Sequence, residues 1–259
     1  MLDGLTRALR PERRRRPRIR RRAGSVHDLV GGPIRGEPLG AERLAESARA
    51  LARGQRLRAV DGGTRRTPLL TRLTDTRWVL DETRDRLAGS ADLGIDLEPA
   101  GEWLLDNYHV LDEHIAEVHA SLPRGYYSEL PELASGQLAG YPRVYEIATT
   151  LIGHTEGRID RGNVELFIAA FQEEEPLGIG ELWALPAMLR LGLIENLRRM
   201  ALRMLQRLDE TQAADGWAAR LGARHGPRGD VPHDALAAFL AHHPPLTPMF
   251  VSRLVRQLR

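Results

Sequence analysis

The side chains best suited to binding chemistry are concentrated in one loop. Four of the five tyrosines lie between residues 126 and 145, with Arg124 and Arg143 close by. A tyrosine ring can stack on a sugar while its hydroxyl forms a hydrogen bond. The alternative is structural, because a long ordered loop is either functional or held to the neighbouring helices by large side chains. Both interpretations stay open on the sequence.

Two carboxylates, Glu181 and Glu195, lie in a strongly apolar segment, 176–201, that reads as one helix. A separation of 14 residues places them about 21 Å apart along the helix axis. Cleavage of a glycosidic bond needs two carboxylates roughly 5–9.5 Å apart, so they cannot form such a pair. On a buried helix they instead need hydrogen-bond donors. We expect these from Arg198 and Arg199 on the same helix, and from Tyr127, Arg143 and Tyr145 of the segment 123–145.

The histidines do not form a metal-binding pattern. His109, His114 and His119 recur every five residues on one predicted helix and therefore point in three directions, because a turn takes 3.6 residues. His154 closes another predicted helix, where the helix dipole and free carbonyls favour a histidine. The sequence has no cysteine, no phosphate-binding glycine motif and no Gly-x-Ser-x-Gly. We therefore predict no catalytic, cofactor-binding or metal-binding residue, and no cofactor.

The charge is divided unevenly along the chain. Residues 1–22 hold ten arginines and two acids, whereas the whole chain carries a net charge of +2. Blocks of like charge are usually solvated, which predicts a disordered basic leader at 1–32 followed by a helical domain at 33–259. The segment Arg13–Arg22 could contact anionic lipid. No aromatic side chains interleave with its arginines to stack on bases, so we expect no nucleic-acid partner.

Apolar residues recur at helical spacing from residue 41 onward, and no run alternates as a strand would. The predicted class is all-α, a multi-helix bundle around a buried long helix. Charges at Glu181, Arg190 and Glu195 interrupt that helix too evenly for a membrane span. The predicted helices cover residues 41–53, 68–87, 100–122, 142–156, 160–174, 179–209, 213–222, 232–242 and 246–258, with a loop at 123–141.

Several segments together resemble the N-terminal region of bacterial cyclic β-1,2-glucan synthases. The resemblance starts in Gly32-Pro-Ile-Arg-Gly-Glu-Pro-Leu-Gly and continues in Trp103-Leu-Leu-Asp-Asn-Tyr-His, Leu122-Pro-Arg-Gly-Tyr-Tyr, Gly140-Tyr-Pro-Arg-Val-Tyr, His154-Thr, Ile179-Gly-Glu-Leu-Trp and Leu193-Ile-Glu-Asn-Leu-Arg-Arg. The segments follow one another in the family's order, which makes the resemblance more specific than any single motif. Pro186, inside the long helix, departs from the pattern.

The resemblance implies an inner-membrane synthase that makes glucan from UDP-glucose. It has a cytoplasmic helical N-terminal region, a membrane-embedded glycosyltransferase and a C-terminal phosphorylase-like part. This chain matches the first part only. It is therefore expected to be a fragment, soluble by itself, that is non-catalytic and scaffolds the transferase at the cytoplasmic side of the membrane. Its partner would be the remainder of the synthase.

The alternative function is a free-standing helical module that binds an oligosaccharide or an acidic partner through its tyrosine-rich loop. An independent enzyme is less favoured, because the sequence offers neither a close carboxylate pair nor a metal cluster. The residues singled out for structural or binding roles are Tyr127, Arg143, Tyr145, His154, Glu181, Trp183, Glu195 and Arg198.

Overall fold

The computed structural model describes residue 34 and residues 36–58, 67–92, 97–222, 233–244 and 246–259, so the predicted basic leader lies outside the described residues. Ten helices occupy the described part of the chain. They are α1 (Ala41–Gly54), α2 (Pro68–Asp92), α3 (Pro99–Asp106), α4 (Tyr108–Ser121), α5 (Arg124–Glu129), α6 (Arg143–His154), α7 (Arg161–Gln172), α8 (Ile179–Gly222), α9 (His233–His242) and α10 (Pro248–Leu258). Strand-type pairing is limited, in these ranges, to isolated bridges. The prediction of an all-α fold is confirmed.

The long helix α8 organises the other elements. It spans 44 residues and packs against α2, α4, α6, α9 and α10. Its first half is the most buried part, with Met188 fully enclosed. Helix α8 approaches α6 closely at Gly192, where an added Cβ would lie 2.5 Å from Cδ1 of Ile152. A residue without a side chain is therefore needed for this close approach.

The predicted loop 123–141 contains a short helix, α5, and two further predicted boundaries are wrong. The predicted helices 179–209 and 213–222 form one continuous helix, because residues 210–212 include neither glycine nor proline to interrupt it. The predicted helix 100–122 is instead divided at Asn107, whose side-chain amide donates to the carbonyl of Trp103 at 2.9 Å. That bond satisfies a carbonyl at the end of α3, so the chain can turn and start α4.

A second, smaller apolar cluster lies at the C-terminal half of α8. Trp217 on α8 meets Phe239 on α9 edge to face, with ring centroids 5.2 Å apart. Phe250 and Leu254 of α10 complete the cluster. None of the helices in the described ranges combines the length and the apolar content that a bilayer crossing requires.

Candidate functional site

The first buried ion pair joins the start of α6, directly after the tyrosine-rich loop, to the start of α8. Arg143 donates to both oxygens of Glu181, through Nε at 2.6 Å and through a terminal nitrogen at 2.8 Å. Both side chains are 4% exposed. A two-bond fork of this kind matches the planar guanidinium to the planar carboxylate. The predicted pairing of Arg143 with an acid of the long helix is therefore present.

The same pair also builds the beginning of α8. Glu181 accepts a hydrogen bond from the backbone N–H of Gly178 at 3.0 Å, as the third residue of a helix does in a capping box. Arg143 in turn donates to the carbonyl of Pro176 at 2.9 Å. One ion pair thus sets both the position of α6 and the residue at which α8 begins.

The second ion cluster lies about four turns further along α8 and centres on Glu195. Its carboxylate accepts hydrogen bonds from Arg72, Arg198 and Arg199, at 2.7–3.0 Å. Arg198 and Arg199 are on the same helix, three and four residues away, whereas Arg72 comes from α2. Sequence reasoning missed Arg72. Its position beside Leu69 and Leu73, on the buried face of α2, could have indicated an ion pair, because a buried charge needs a partner.

The electrostatics of Glu195 follow from this geometry. Burial by itself raises the pKa of the carboxyl, but hydrogen bonds from Arg72 and Arg198 outweigh it and lower the pKa to about 2. Tyr145 is buried next to this cluster, and burial together with the Glu195 charge raises the pKa of its hydroxyl. The carboxylate is therefore ionised, and the tyrosine neutral, throughout the physiological range.

A pH dependence of stability follows. The pKa of Glu195 falls from an unfolded value near 4.5 to about 2 on folding, so its contribution is complete above about pH 5 and is lost as the pH falls toward 2. The shift corresponds to about 3 kcal/mol. Urea unfolding of the wild type and of Glu195→Gln at pH 7 and at pH 3 measures it. We expect the stability difference between the two proteins to shrink at pH 3; a constant difference would contradict the assignment.

The tyrosines of the loop are mostly packed inside. Tyr127 and Tyr145 are fully buried, and Tyr141 stacks on Tyr145 with ring centroids 6.0 Å apart. Tyr126 donates from its hydroxyl to the carbonyl of Gly180 at the start of α8. The predicted contact of Tyr127 with an acid is wrong: its hydroxyl has no hydrogen-bond partner among the described residues, because the ring enters the apolar core. The loop is held against α8.

His154 has a structural position at the end of α6. Its Nδ1 donates to the carbonyl of Glu37 at 2.9 Å. The backbone N–H of Gly36 donates to Gly153 and that of Leu39 to His154, so the segment before α1 is tied to this helix end. An added Cβ on Gly36 would lie 2.9 Å from the His154 ring, which explains a glycine there.

Trp183 differs from the other singled-out residues of α8 because it faces outward. It is 78% exposed, and Ile179, one turn earlier, is 77% exposed. Leu182 beside them is also exposed. We call these three residues the Trp183 patch. Large apolar side chains that share one exposed helix face are typical of a protein interface.

The chemical capacity of the buried clusters is limited. Both oxygens of Glu181 and of Glu195 already accept hydrogen bonds from guanidinium groups, so neither carboxylate has an oxygen free for proton transfer to a substrate. The three histidines of α4 are exposed, and His114 pairs with Glu117. No group of three or more candidate ligands is arranged for a metal ion in the ranges that the structure covers.

The segments that carry the family resemblance meet in space. Around the first half of α8, Tyr126 contacts Gly180, Arg143 contacts Glu181, and the backbone N–H of Ile34 donates to the side chain of Asn196. These residues come from five of the segments quoted above. The resembling segments therefore form a buried framework around α8.

Comparison with known proteins gives one informative similarity. The chain is 41% identical over 156 residues to cyclic beta-(1,2)-glucan synthase NdvB of Rhizobium meliloti (strain 1021). The aligned part is 58% of this chain and 5% of the relative, so the chain spans a small part of the length of that protein. No protein-family model matches the sequence.

Proposed function

We propose that this chain is the helical N-terminal region of a cyclic β-1,2-glucan synthase, non-catalytic by itself, and that it scaffolds the transferase. The observation that carries the proposal is the 41% identity over 156 residues to a cyclic beta-(1,2)-glucan synthase. The state of Glu181 and Glu195 supports a structural role, because both carboxylates are engaged by guanidinium groups.

The surface that would dock is the Trp183 patch. Ile179 and Trp183 lie four residues apart and therefore on one face of α8. An exposed tryptophan beside an isoleucine provides the apolar anchor on which protein interfaces depend. The proposed partner is the remaining synthase polypeptide. The aligned part is only 5% of the relative's length, so most of that protein lies outside it. Docking would cover a patch that is otherwise unfavourable in water.

The proposed function also implies a location in the cell. Within the whole synthase the region would lie at the cytoplasmic side of the bacterial inner membrane, and Arg13–Arg22 would be available for contact with anionic lipid. The alternative of a free-standing oligosaccharide-binding module is not favoured. It depends on the tyrosine rings of the loop, and Tyr127, Tyr141 and Tyr145 are buried.

The proposal is tested by reconstitution. The purified chain is mixed with a cyclic β-1,2-glucan synthase polypeptide from which the matching region has been deleted, and binding and glucan formation from UDP-glucose are measured. We expect binding and restored synthesis, and no turnover of UDP-glucose by the chain alone. Combined Ile179→Ala and Trp183→Ala is expected to weaken binding at least about 30-fold, the effect of losing a 2 kcal/mol anchor.

Trp78→Ala on α2 is the matched control, because it removes a different exposed tryptophan. It should leave binding unchanged. Absence of binding by the wild-type chain would contradict the proposed function. Binding that the double replacement does not weaken would leave the function standing and contradict the choice of surface.

A further inference from the structure

A cavity of about 550 Å³ lies between α2 and α3 on one side and α8 and α10 on the other. Its volume is within the roughly 300–1,000 Å³ of sites that enclose small molecules. The wall is formed mainly by apolar side chains from four parts of the fold: Leu87, Leu97, Met204, Leu208 and Met249. Leu87 is buried at the base, whereas Met249 is partly exposed. The inner part of the cavity therefore accepts an apolar group.

The mouth of the cavity is polar and carries an excess of positive charge. Arg207 is neutralised by Glu98, which accepts hydrogen bonds from it at 2.6 and 2.7 Å. Arg253 is likewise paired with Asp215 on α8 at 2.7 Å. Arg256, one turn further along α10, lines the cavity and forms no ion pair within the described part of the chain. One guanidinium is thus left to receive an anion.

An apolar interior with one cationic group at the rim selects a particular kind of molecule. An alkyl chain gains about 0.8 kcal/mol for each methylene group removed from water. A negatively charged head group gains a charge-assisted hydrogen bond from a guanidinium, whereas a positively charged one is repelled. A fully polar ligand would have no partner for the leucine and methionine wall.

We propose that this cavity binds a single-chain anionic amphiphile. The alkyl chain lies against Leu87, Met204 and Leu208, and the phosphate or carboxylate head group is bound by Arg256. Ser252 at the rim provides a further hydrogen-bond donor. The cavity lies about 36 Å along α8 from Trp183, at 1.5 Å per residue, so this site and the Trp183 patch are independent of each other.

The test uses octyl phosphate below its micelle-forming concentration, followed by methyl NMR of the methionines. We expect saturable binding that shifts the signals of Met204 and Met249 but not that of Met188, which is buried elsewhere on α8. Butyl phosphate, which has a shorter chain, and octyl glucoside, which has no charge, should each bind at least tenfold more weakly.

Two replacements complete the experiment. Arg256→Ala should weaken octyl phosphate binding by about tenfold or more through loss of the charged hydrogen bond. Ser252→Trp, at an exposed position of α10, should fill the cavity and abolish binding without disturbing the Met188 signal. Arg158→Ala, an exposed arginine outside the cavity, is the control and should bind as the wild type does. Absence of binding, or equal binding by Ser252→Trp and the wild type, would overturn the proposal.

Discussion

Replacement of Glu195 by alanine is expected to lower the free energy of unfolding by about 3–5 kcal/mol, as removal of one partner of a buried ion cluster does. The carboxylate is shared by Arg72, Arg198 and Arg199. Each of these side chains is at most 13% exposed. Without Glu195, three positive charges stay close together with poor access to water, and their mutual repulsion is no longer offset by this carboxylate. Urea unfolding at pH 7 measures the loss.

Glu165→Ala is the matched control for this experiment. Glu165 also pairs with an arginine four residues away on one helix, but both side chains are largely exposed. Such a pair is worth at most about 1 kcal/mol. Equal effects of Glu195→Ala and Glu165→Ala would contradict a buried role for Glu195. If the alanine variant does not fold, Glu195→Gln, which keeps the side-chain volume, is measured instead and is also expected to be destabilised.

Arg143→Ala is the second large expected effect, again about 3–5 kcal/mol. The replacement leaves Glu181 with a buried negative charge and removes the donor to the Pro176 carbonyl. Because Glu181 also accepts the backbone N–H of Gly178, we expect disorder to start at the first turn of α8. Thermal and urea unfolding give the energy, and hydrogen exchange of residues 178–183 gives the location.

Two further variants separate the charge from the packing. Arg143→Lys keeps the charge but cannot form the fork to both carboxylate oxygens, so we expect an intermediate loss. Arg143→Met combined with Glu181→Leu removes both charges and should be less destabilised than Arg143→Ala, since no unpaired charge is left. Arg161→Ala, at an exposed ion pair, is the control. An unchanged melting temperature for Arg143→Ala would contradict the structural role.

The two clusters give α8 a defined relation to its neighbours. The pair between Arg143 and Glu181 ties the loop and α6 to its beginning, and Arg72 ties α2 to its middle at Glu195. Buried ion pairs add little net stability because their desolvation cost is large, but an arrangement that separates them is strongly disfavoured. We infer that they select one packing of these helices among the many that apolar side chains would allow.

The sequence by itself determined the features that depend on local pattern. The spacing of apolar residues predicted the helical class and most helix positions, since each helix forms from contacts a few residues apart. The presence of carboxylates on an apolar helix predicted buried partners for Glu181 and Glu195, because a buried charge must be paired. The tyrosine-rich segment 123–145 was the expected source of a donor for Glu181, and Arg143 is that donor.

The tertiary structure decided the features that depend on residues far apart in the chain. Arg72 lies 123 residues from Glu195, and local spacing holds no information on which helix faces it. Tyr127 was expected to meet an acid and instead enters the core, because the short helix α5 turns it inward. Trp183 belongs to the strongly apolar segment 176–201, yet it is exposed. Whether a side chain of such a helix is buried or exposed depends on which elements pack against its face of the helix. Those elements are known only once the whole chain has folded.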